Sequence, residues 1–302
     1  MMNYLITGGT GIIGSALIAR LPKENTQITV LSRRKEKAEN LLGRHINVIE
    51  KLSINDVEAA DVIVNLAGEA IADKRWSVNQ KDKICQSRWG ITQQLVDLIT
   101  SAKNPPRVFI SGSAIGIYGR QQNHPIDESY EQFNPEFTHH VCATWENIAL
   151  TALSAKTRVA ILRTGIVLTK KGGALAKMIP PFKLGLGGKI SHGEQMMSWI
   201  HIDDMIDAIL HIQESELIDG VINLTAPQAL SNKDFSQALA AQLKRPCLFT
   251  TPSWLLKAIF GEMADLLLFG QHVVPKKLVD SGFSFTHSNI NQALMDLFPS
   301  RA

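Results

Sequence analysis

The sequence predicts an α/β chain, a doubly wound parallel Rossmann sheet with a smaller mixed C-terminal substrate domain, and three observations carry that prediction. The apolar run Tyr4-Leu5-Ile6 passes directly into Thr7-Gly8-Gly9-Thr10-Gly11-Ile12-Ile13-Gly14 and then into an amphipathic stretch to about Leu21, the order strand, turn, helix. Short apolar or β-branched runs then alternate with helical stretches up to about residue 165, as in a parallel sheet with right-handed crossovers and helices on both faces. With 302 residues the chain exceeds one typical core, so a second, smaller body is expected.

In the opening turn each glycine has its own use. Gly8 turns tightly off the strand, Gly11 lets a phosphate approach backbone N–H groups, and Gly14 lets helix pack on strand. The helix N-terminus offers unpaired N–H donors and a partial positive charge, which suits a pyrophosphate. Gly8, Gly9, Thr10, Gly11, Ile12, Ile13 and Gly14 are therefore candidate cofactor contacts.

Gln27–Ser32 reads as the second strand. A dinucleotide domain selective for NAD places Asp or Glu here, about 20 residues past the glycines, to accept hydrogen bonds from ribose. Ser32-Arg33-Arg34 stands there instead. A hydroxyl and two guanidinium groups suit a 2′-phosphate, which predicts NADP as cofactor. The alternative is that Arg33 and Arg34 only begin the solvated helix through Lys35-Glu36-Lys37.

His45–Glu50 and Asp61–Leu66 read as the third and fourth strands, the latter a continuous apolar run of the kind buried on both faces. It leads into Ala67-Gly68-Glu69, small residues where open α/β sheets bind ligands, or else simply a turn. A helix follows from about Val78 to Ser101, with Ile84, Ile91, Leu95, Leu98 and Ile99 at helical spacing. The fifth strand, Arg107–Ser111, opens into Gly112-Ser113-Ala114-Ile115-Gly116-Ile117-Tyr118-Gly119; a helix over 138–153 and a sixth strand, Arg158–Arg163, complete the repeats.

Beyond Thr164 the rhythm changes. The glycine-rich residues 172–193, with Pro180-Pro181, predict a connection or loop. Asp203-Asp204 are expected to cap a helix reaching about Ile212, and Val221–Leu224 to return to the sheet. Ser231, with Asp234 three residues on, is an N-cap candidate. The run 254–268 reads as one helix, apolar almost all round, buried or in an interface such as a homodimer's.

Composition narrows the classes. A 45% apolar content and mean hydropathy of +0.01 fit a soluble globular protein, and a net charge of +3 with interspersed signs does not argue for nucleic acid. Cys85, Cys142 and Cys247 show neither disulfide nor metal-site spacing, so a reducing compartment and no metal are expected. No apolar run reaches the roughly 18 residues of a membrane span, and the first apolar residues belong to a strand rather than a signal segment. A cytoplasmic protein is expected, without membrane or nucleic-acid partners.

The N-terminal Thr-Gly-Gly-Thr-Gly-x-x-Gly, Asn65-Leu66-Ala67-Gly68-Glu69, Asp73-Lys74-Arg75-Trp76, the Ser-x-Ser of the fifth strand with Tyr118-Gly119, Val141-Cys142 with Trp145-Glu146, Gly185-Leu186-Gly187-Gly188, Trp199-Ile200-His201-Ile202-Asp203-Asp204, and Gly261-Glu262-Met263 with Gly270-Gln271 occur together. This combination resembles the extended short-chain dehydrogenases/reductases, and within them the nucleoside-diphosphate-sugar epimerase-like subgroup with a distinctive C-terminal domain, over essentially the whole chain. The resemblance implies NADP, with Ser32 and Arg33 at the adenosine phosphate. It also implies Leu66, Ala67, Gly68, Glu69, Arg75 and Ile166 near the cofactor, and Ser113 orienting a substrate oxygen.

Two departures stand out. The family's Tyr-x-x-x-Lys, in which the lysine lowers the tyrosine pKa for proton exchange, is absent: Val141 and Trp145 hold the two places, and none of the three tyrosines has a lysine four residues on. The stretch Gln195–Trp199 also lacks the arginine that holds a nucleotide-sugar pyrophosphate. Ser113, His139, His140, Cys142 and His201 are the groups from which a replacement is sought. Two readings stand: an NADP-dependent oxidoreductase or epimerase-like enzyme acting on a small polar carbonyl or alcohol, or an NADP(H)-binding sensor that has lost catalysis. The expected organisation is a Rossmann domain from 1–165 plus 196–226, and a smaller domain from 166–195 and 227–302, with the cleft between them.

Overall fold

The computed structural model describes residues 1–299. The first half alternates strand and helix: β1 (Met2–Thr7), α1 (Ile12–Arg20), β2 (Thr26–Leu31), α2 (Lys35–Leu42), β3 (Asn47–Ile49), α3 (Ile54–Glu58), β4 (Val62–Asn65), α4 (Val78–Ser101), β5 (Val108–Ala114), α5 (Phe137–Leu150) and β6 (Arg158–Thr164). The second half is more broken. It runs β7 (Ile166–Leu168), α6 (Gly173–Lys183), β8 (Gly188–Ile190), β9 (Met196–Met197), β10 (Trp199–His201), α7 (Ile202–Glu214), β11 (Gly220–Leu224) and β12 (Leu230–Ser231). It continues with α8 (Asn232–Gln242), β13 (Phe249–Thr251), α9 (Ser253–Phe260), α10 (Asp265–Leu268), α11 (Lys276–Asp280) and α12 (Ile290–Leu297).

Seven strands form one parallel sheet in the order β11-β6-β5-β4-β1-β2-β3. The chain winds outward through β2 and β3, then returns past β1 to lay down β4, so the order reverses between β1 and β4. At such a reversal the two crossovers leave opposite faces and open a crevice at the carboxyl ends of the strands. Alternating residues separate the two faces. Ile6, Val64, Ile110 and Leu162 pack with Leu17 of α1 and Ile209 of α7, whereas Leu5, Ile63, Phe109 and Ile161 pack with Leu95 of α4 and Ala149 of α5.

A second core lies under the C-terminal elements. Leu175 and Phe182 of α6, Phe235 and Leu239 of α8, and Leu294 of α12 meet Met197 and Trp199 there, while Leu278, Phe283 and Phe285 pack back onto the sheet. Met197 and Trp199 thus enter the second core, while Leu278, Phe283 and Phe285 join the core of the main sheet. No helix among the described residues is long and apolar enough to cross a membrane.

Three expectations are corrected. Residues 172–193 are not simply a loop: α6 and β8 form there, and Pro180 and Pro181 lie inside the helix. Burial of Leu175 and Phe182 in the second core outweighs the local cost of proline and glycine. The run 254–268 is not one helix, because Gly261 takes a φ of +61° and a 3-10 turn over 261–264 separates α9 from α10; Trp254 is left 69% exposed. Helix α7 is capped by His201, whose Nδ1 accepts the Asp203 N–H. The buried Asp204 carboxylate turns instead to the N–H groups of Thr286 and His287, at 2.8 and 2.9 Å. By contrast Ser231 caps α8 as expected, accepting the Asp234 N–H at 3.1 Å.

Candidate dinucleotide cleft

The glycine turn sits at the reversal point. Gly8 has a φ of +71°, and the Gly11 N–H closes the turn on the Gly8 carbonyl at 2.9 Å. A Cβ on Gly8 would lie 2.5 Å from the Leu66 carbonyl, and one on Gly14 would lie 2.4 Å from the Gly8 oxygen. The ends of β1 and β4 therefore touch at Gly8 and Leu66, and α1 packs against the turn at Gly14. Gly9 fits under Val30, while Thr10 and Gly11 are exposed and Ile12 and Ile13 half-buried. Gly11 caps α1 without a side-chain acceptor, so the first N–H groups of that helix are free for an anion. Gly172 lies over Ile12 and brings the segment before α6 across the turn.

One strand away, the Ser32 hydroxyl accepts the Arg34 N–H at 3.3 Å, and Arg33 and Arg34 are exposed. Neither guanidinium has an ion-pair partner among the described residues. The Gln80 hydrogen bond holds the Glu69 carboxyl below the usual carboxylate range, with Lys74 and Arg33 adding to it, so Arg33 and Glu69 share one electrostatic neighbourhood. A glycine-rich turn, free helix N–H groups and two unpaired guanidiniums fit a dinucleotide with an extra phosphate. Arg75 is exposed against Gly261, next in the chain to Lys74, which pairs with Glu69 at 3.4 Å, in a loop tied to the C-terminal elements by Lys177 to Asp73, at 2.6 Å, and Lys81 to Glu262. Half-buried Ile166 opens β7, its N–H on the Ser198 carbonyl at 2.9 Å.

At the places of the missing tyrosine and lysine the fold is apolar. Val141 packs with Ile84 and Cys85, and Trp145 lies against Gly112. The Trp145 indole N–H donates to Thr92 Oγ1 at 2.8 Å, and the Asn65 amide to the same oxygen at 2.7 Å. Thr7 adds a hydroxyl on Asn65 Oδ1 at 2.7 Å, so a buried polar chain runs beneath the cleft.

Ser113 is drawn into a second network. Its hydroxyl donates to Glu146 Oε1 at 2.6 Å, and Arg163 grips the same carboxylate bidentately, Nε at 3.0 Å and Nη2 at 2.8 Å. Both charged residues are only 5% exposed. Burial alone would lower the Arg163 pKa, but the Glu146 carboxylate holds it above the ordinary guanidinium value. Arg163 Nη1 reaches Tyr118 Oη at 3.1 Å, and that phenol, raised by burial, donates to Asn223 Oδ1 at 2.8 Å. The Ser113 hydroxyl is thus committed within the fold. This network escaped the sequence reading; its signal was a charged residue, Arg163, directly following the apolar run Val159-Ala160-Ile161-Leu162 within one strand.

The other candidates divide similarly. Burial pushes the Cys142 thiol up to about 11, which makes it a small core residue rather than a thiolate. His139 holds the Ile117 carbonyl through Nδ1 at 2.6 Å, and His140 stands edge-on to Trp89. His201 is fully buried and stacks on His287 with ring centroids 3.8 Å apart.

His201, His287 and Asp296 offer ligand-type atoms within 4.8 Å of one another. Since His201 Nδ1 accepts a backbone N–H, the neutral ring carries its proton on Nε2, facing Asp296 Oδ2 at 3.3 Å. That proton opposes a metal ion there. Burial, with His287 adding, lowers the His201 pKa below 6.5, against Asp203, Asp296 and Asp204. The unfolded chain therefore takes up a proton that the fold resists. The resulting stability is complete above the ordinary value of 6.5 and is lost as pH falls below it toward the folded value. Melting temperatures measured from about pH 8 down to about 5.5 should fall in the wild type and fall less in His201→Gln; parallel curves would contradict this.

A parallel sheet whose order reverses at a glycine turn, with a helix start left uncapped by any side chain, defines a dinucleotide-fold protein of the epimerase and reductase class. The chain belongs to the NAD dependent epimerase/dehydratase family, whose model matches residues 4–225, and residues 251–297 match a domain of unknown function, DUF1731. It is similar to the "Epimerase family protein SH2119" of Staphylococcus haemolyticus, 37% identical over 98% of this chain and 99% of that one. The chloroplastic "Epimerase family protein SDR39U1 homolog" of Arabidopsis thaliana is 38% identical over 97% of this chain and 86% of its own. Among solved structures, human epimerase family protein SDR39U1 (isoform 2), crystallised with NADPH, is 32% identical, with a TM-score of 0.88 over 98% of this chain and 99% of that one.

Proposed function

We propose that this chain is an NADP(H)-dependent oxidoreductase or epimerase-like enzyme acting on a small polar carbonyl or alcohol. The observation that carries this reading is the pair of unpaired guanidiniums, Arg33 and Arg34, one strand from the glycine turn. The NADPH in the related human structure supports it. Gly8, Gly9, Thr10, Gly11, Ile12, Ile13 and Gly14 would hold the pyrophosphate. Ser32, Arg33 and Arg34 would take the 2′-phosphate, and the Leu66–Glu69 segment, Arg75 and Ile166 would line the remainder. When bound, the nicotinamide ring supplies or removes hydride; the protein binds, orients and excludes water. Val141 and Trp145 contribute no proton donor, which favours one specific second reading, an NADP(H)-binding sensor.

Arg33→Ala is expected to weaken NADPH binding by about 1–3 kcal/mol, the range for a charge-assisted hydrogen bond, and to leave NADH binding nearly unchanged. Isothermal calorimetry with both cofactors checks it, and equal losses would overturn the phosphate assignment. Turnover with a panel of small carbonyls and NADPH separates enzyme from sensor.

A further inference from the structure

Arg88 lies where the extended pattern has lost its cation. On α4 it reaches under the loop after β4, so close that a Cβ on Gly68 would touch its guanidinium carbon at 2.9 Å. Its charge stands over the ring of Trp145, the residue in the lysine's place, 5.4 Å from the centroid. Trp145 in turn abuts Gly112 of β5. Arg88 therefore occupies the carboxyl edge between β4 and β5, on the opposite side of the glycine turn from Arg33 and Arg34. A dinucleotide laid across the crevice with its adenosine at β2 would bring its reactive end toward this edge.

The guanidinium is pinned but unpaired. Nη1 donates to its own helix, to the Ile84 carbonyl at 2.9 Å, which fixes the plane of the group. Nε and Nη2 have no partner among the described residues, and neither is sealed in the core. The neighbouring carboxylates are engaged elsewhere, Glu69 with Lys74 at 3.4 Å and Glu146 with Arg163 at 2.8 Å. Nε–H and Nη2–H are parallel donors on one edge of the plane, the fork that two oxygens of a carboxylate or phosphate match. Burial lowers the Arg88 pKa, so the unpaired cation bears a desolvation cost that an incoming anion offsets.

We propose that Arg88 is a substrate-binding residue, its free Nε and Nη2 edge gripping the carboxylate or phosphate of a small anionic carbonyl or alcohol substrate beside the nicotinamide. The proposal rests on the cofactor reading above and gives it a substrate class. It accords with Gln195–Trp199, which lacks the arginine of nucleotide-sugar enzymes. A small acid held by one fork needs no second pyrophosphate site.

The test titrates the full chain, alone and saturated with NADPH, with oxamate, inorganic phosphate and neutral acetamide, following melting temperature and NADPH fluorescence. Saturable binding of oxamate or phosphate, but not acetamide, is expected. It should weaken at least tenfold in Arg88→Gln and by less in Arg88→Lys, which keeps the charge and loses the fork. Arg107→Gln, at the opposite end of β5, should leave it unchanged, and all three variants should bind NADPH as the wild type does. Oxamate binding in preference to phosphate identifies a carboxylate substrate, and the reverse a phosphorylated one. Equal anion affinity in Arg88→Gln overturns the proposal. So does a loss of NADPH binding in that variant with adenosine 2′,5′-bisphosphate binding intact, which would give Arg88 to the cofactor. If the wild type fails to bind NADPH, the cofactor reading falls, and the titration of the chain alone still decides Arg88.

Discussion

Glu146→Ala lowers the stability of the fold by about 3–5 kcal/mol, the cost of leaving a buried charge without its partner. Arg163 is 5% exposed and donates to both carboxylate oxygens of Glu146, with Ser113 donating to one of them. Without that carboxylate, a guanidinium at the end of β6 faces only Tyr118 at 3.1 Å, and the Ser113 hydroxyl loses its acceptor. Urea unfolding measures the loss directly, and a fall in melting temperature on the order of 10 °C accompanies it. An apolar pair, Glu146→Leu with Arg163→Met, should recover much of the stability, because removing both charges also removes their desolvation. A loss under about 1 kcal/mol for Glu146→Ala would show that the pair does not carry the charge balance described here.

Gly8→Ala should weaken cofactor binding through the backbone of the turn itself. An alanine there must adopt the left-handed backbone that Gly8 holds at a φ of +71°, at a cost of about 1–2 kcal/mol. Its Cβ would also lie 2.5 Å from the Leu66 carbonyl, a backbone contact that yields only if the ends of β1 and β4 separate. That separation displaces the Gly8 oxygen, which receives the Gly11 N–H and lies where any side chain at Gly14 would fall. NADPH affinity is expected to drop at least tenfold while circular dichroism shows the sheet retained. Unchanged affinity would mean that the turn does not hold the pyrophosphate.

Most of the sheet was legible because its signals are local. Val62-Ile63-Val64 is buried at every position, as a continuous apolar run in a parallel sheet must be, and the glycines at 8 and 14 stand where a side chain would strike backbone. The cap at Ser231 was legible for the same reason, since donor and acceptor lie three residues apart. Residues 172–193 and 254–268 were misread because proline and glycine argue locally against helix, or apolar residues for it, while burial in the second core and the backbone at Gly261 decided otherwise.

By itself the sequence determined the parallel α/β architecture, the glycine turn after β1, the exposed pair Arg33 and Arg34 after β2, and the absence of a Tyr-x-x-x-Lys. Each is written in residues close together in the chain, where backbone geometry and charge act without help. Only the tertiary structure decided that Ser113 serves Glu146, that Tyr118 meets Asn223 across 105 residues, and that Arg88 stands unpaired beneath Gly68. Those outcomes depend on which strand lies beside which and on what burial removes from water, and neither is set by any one segment of the chain.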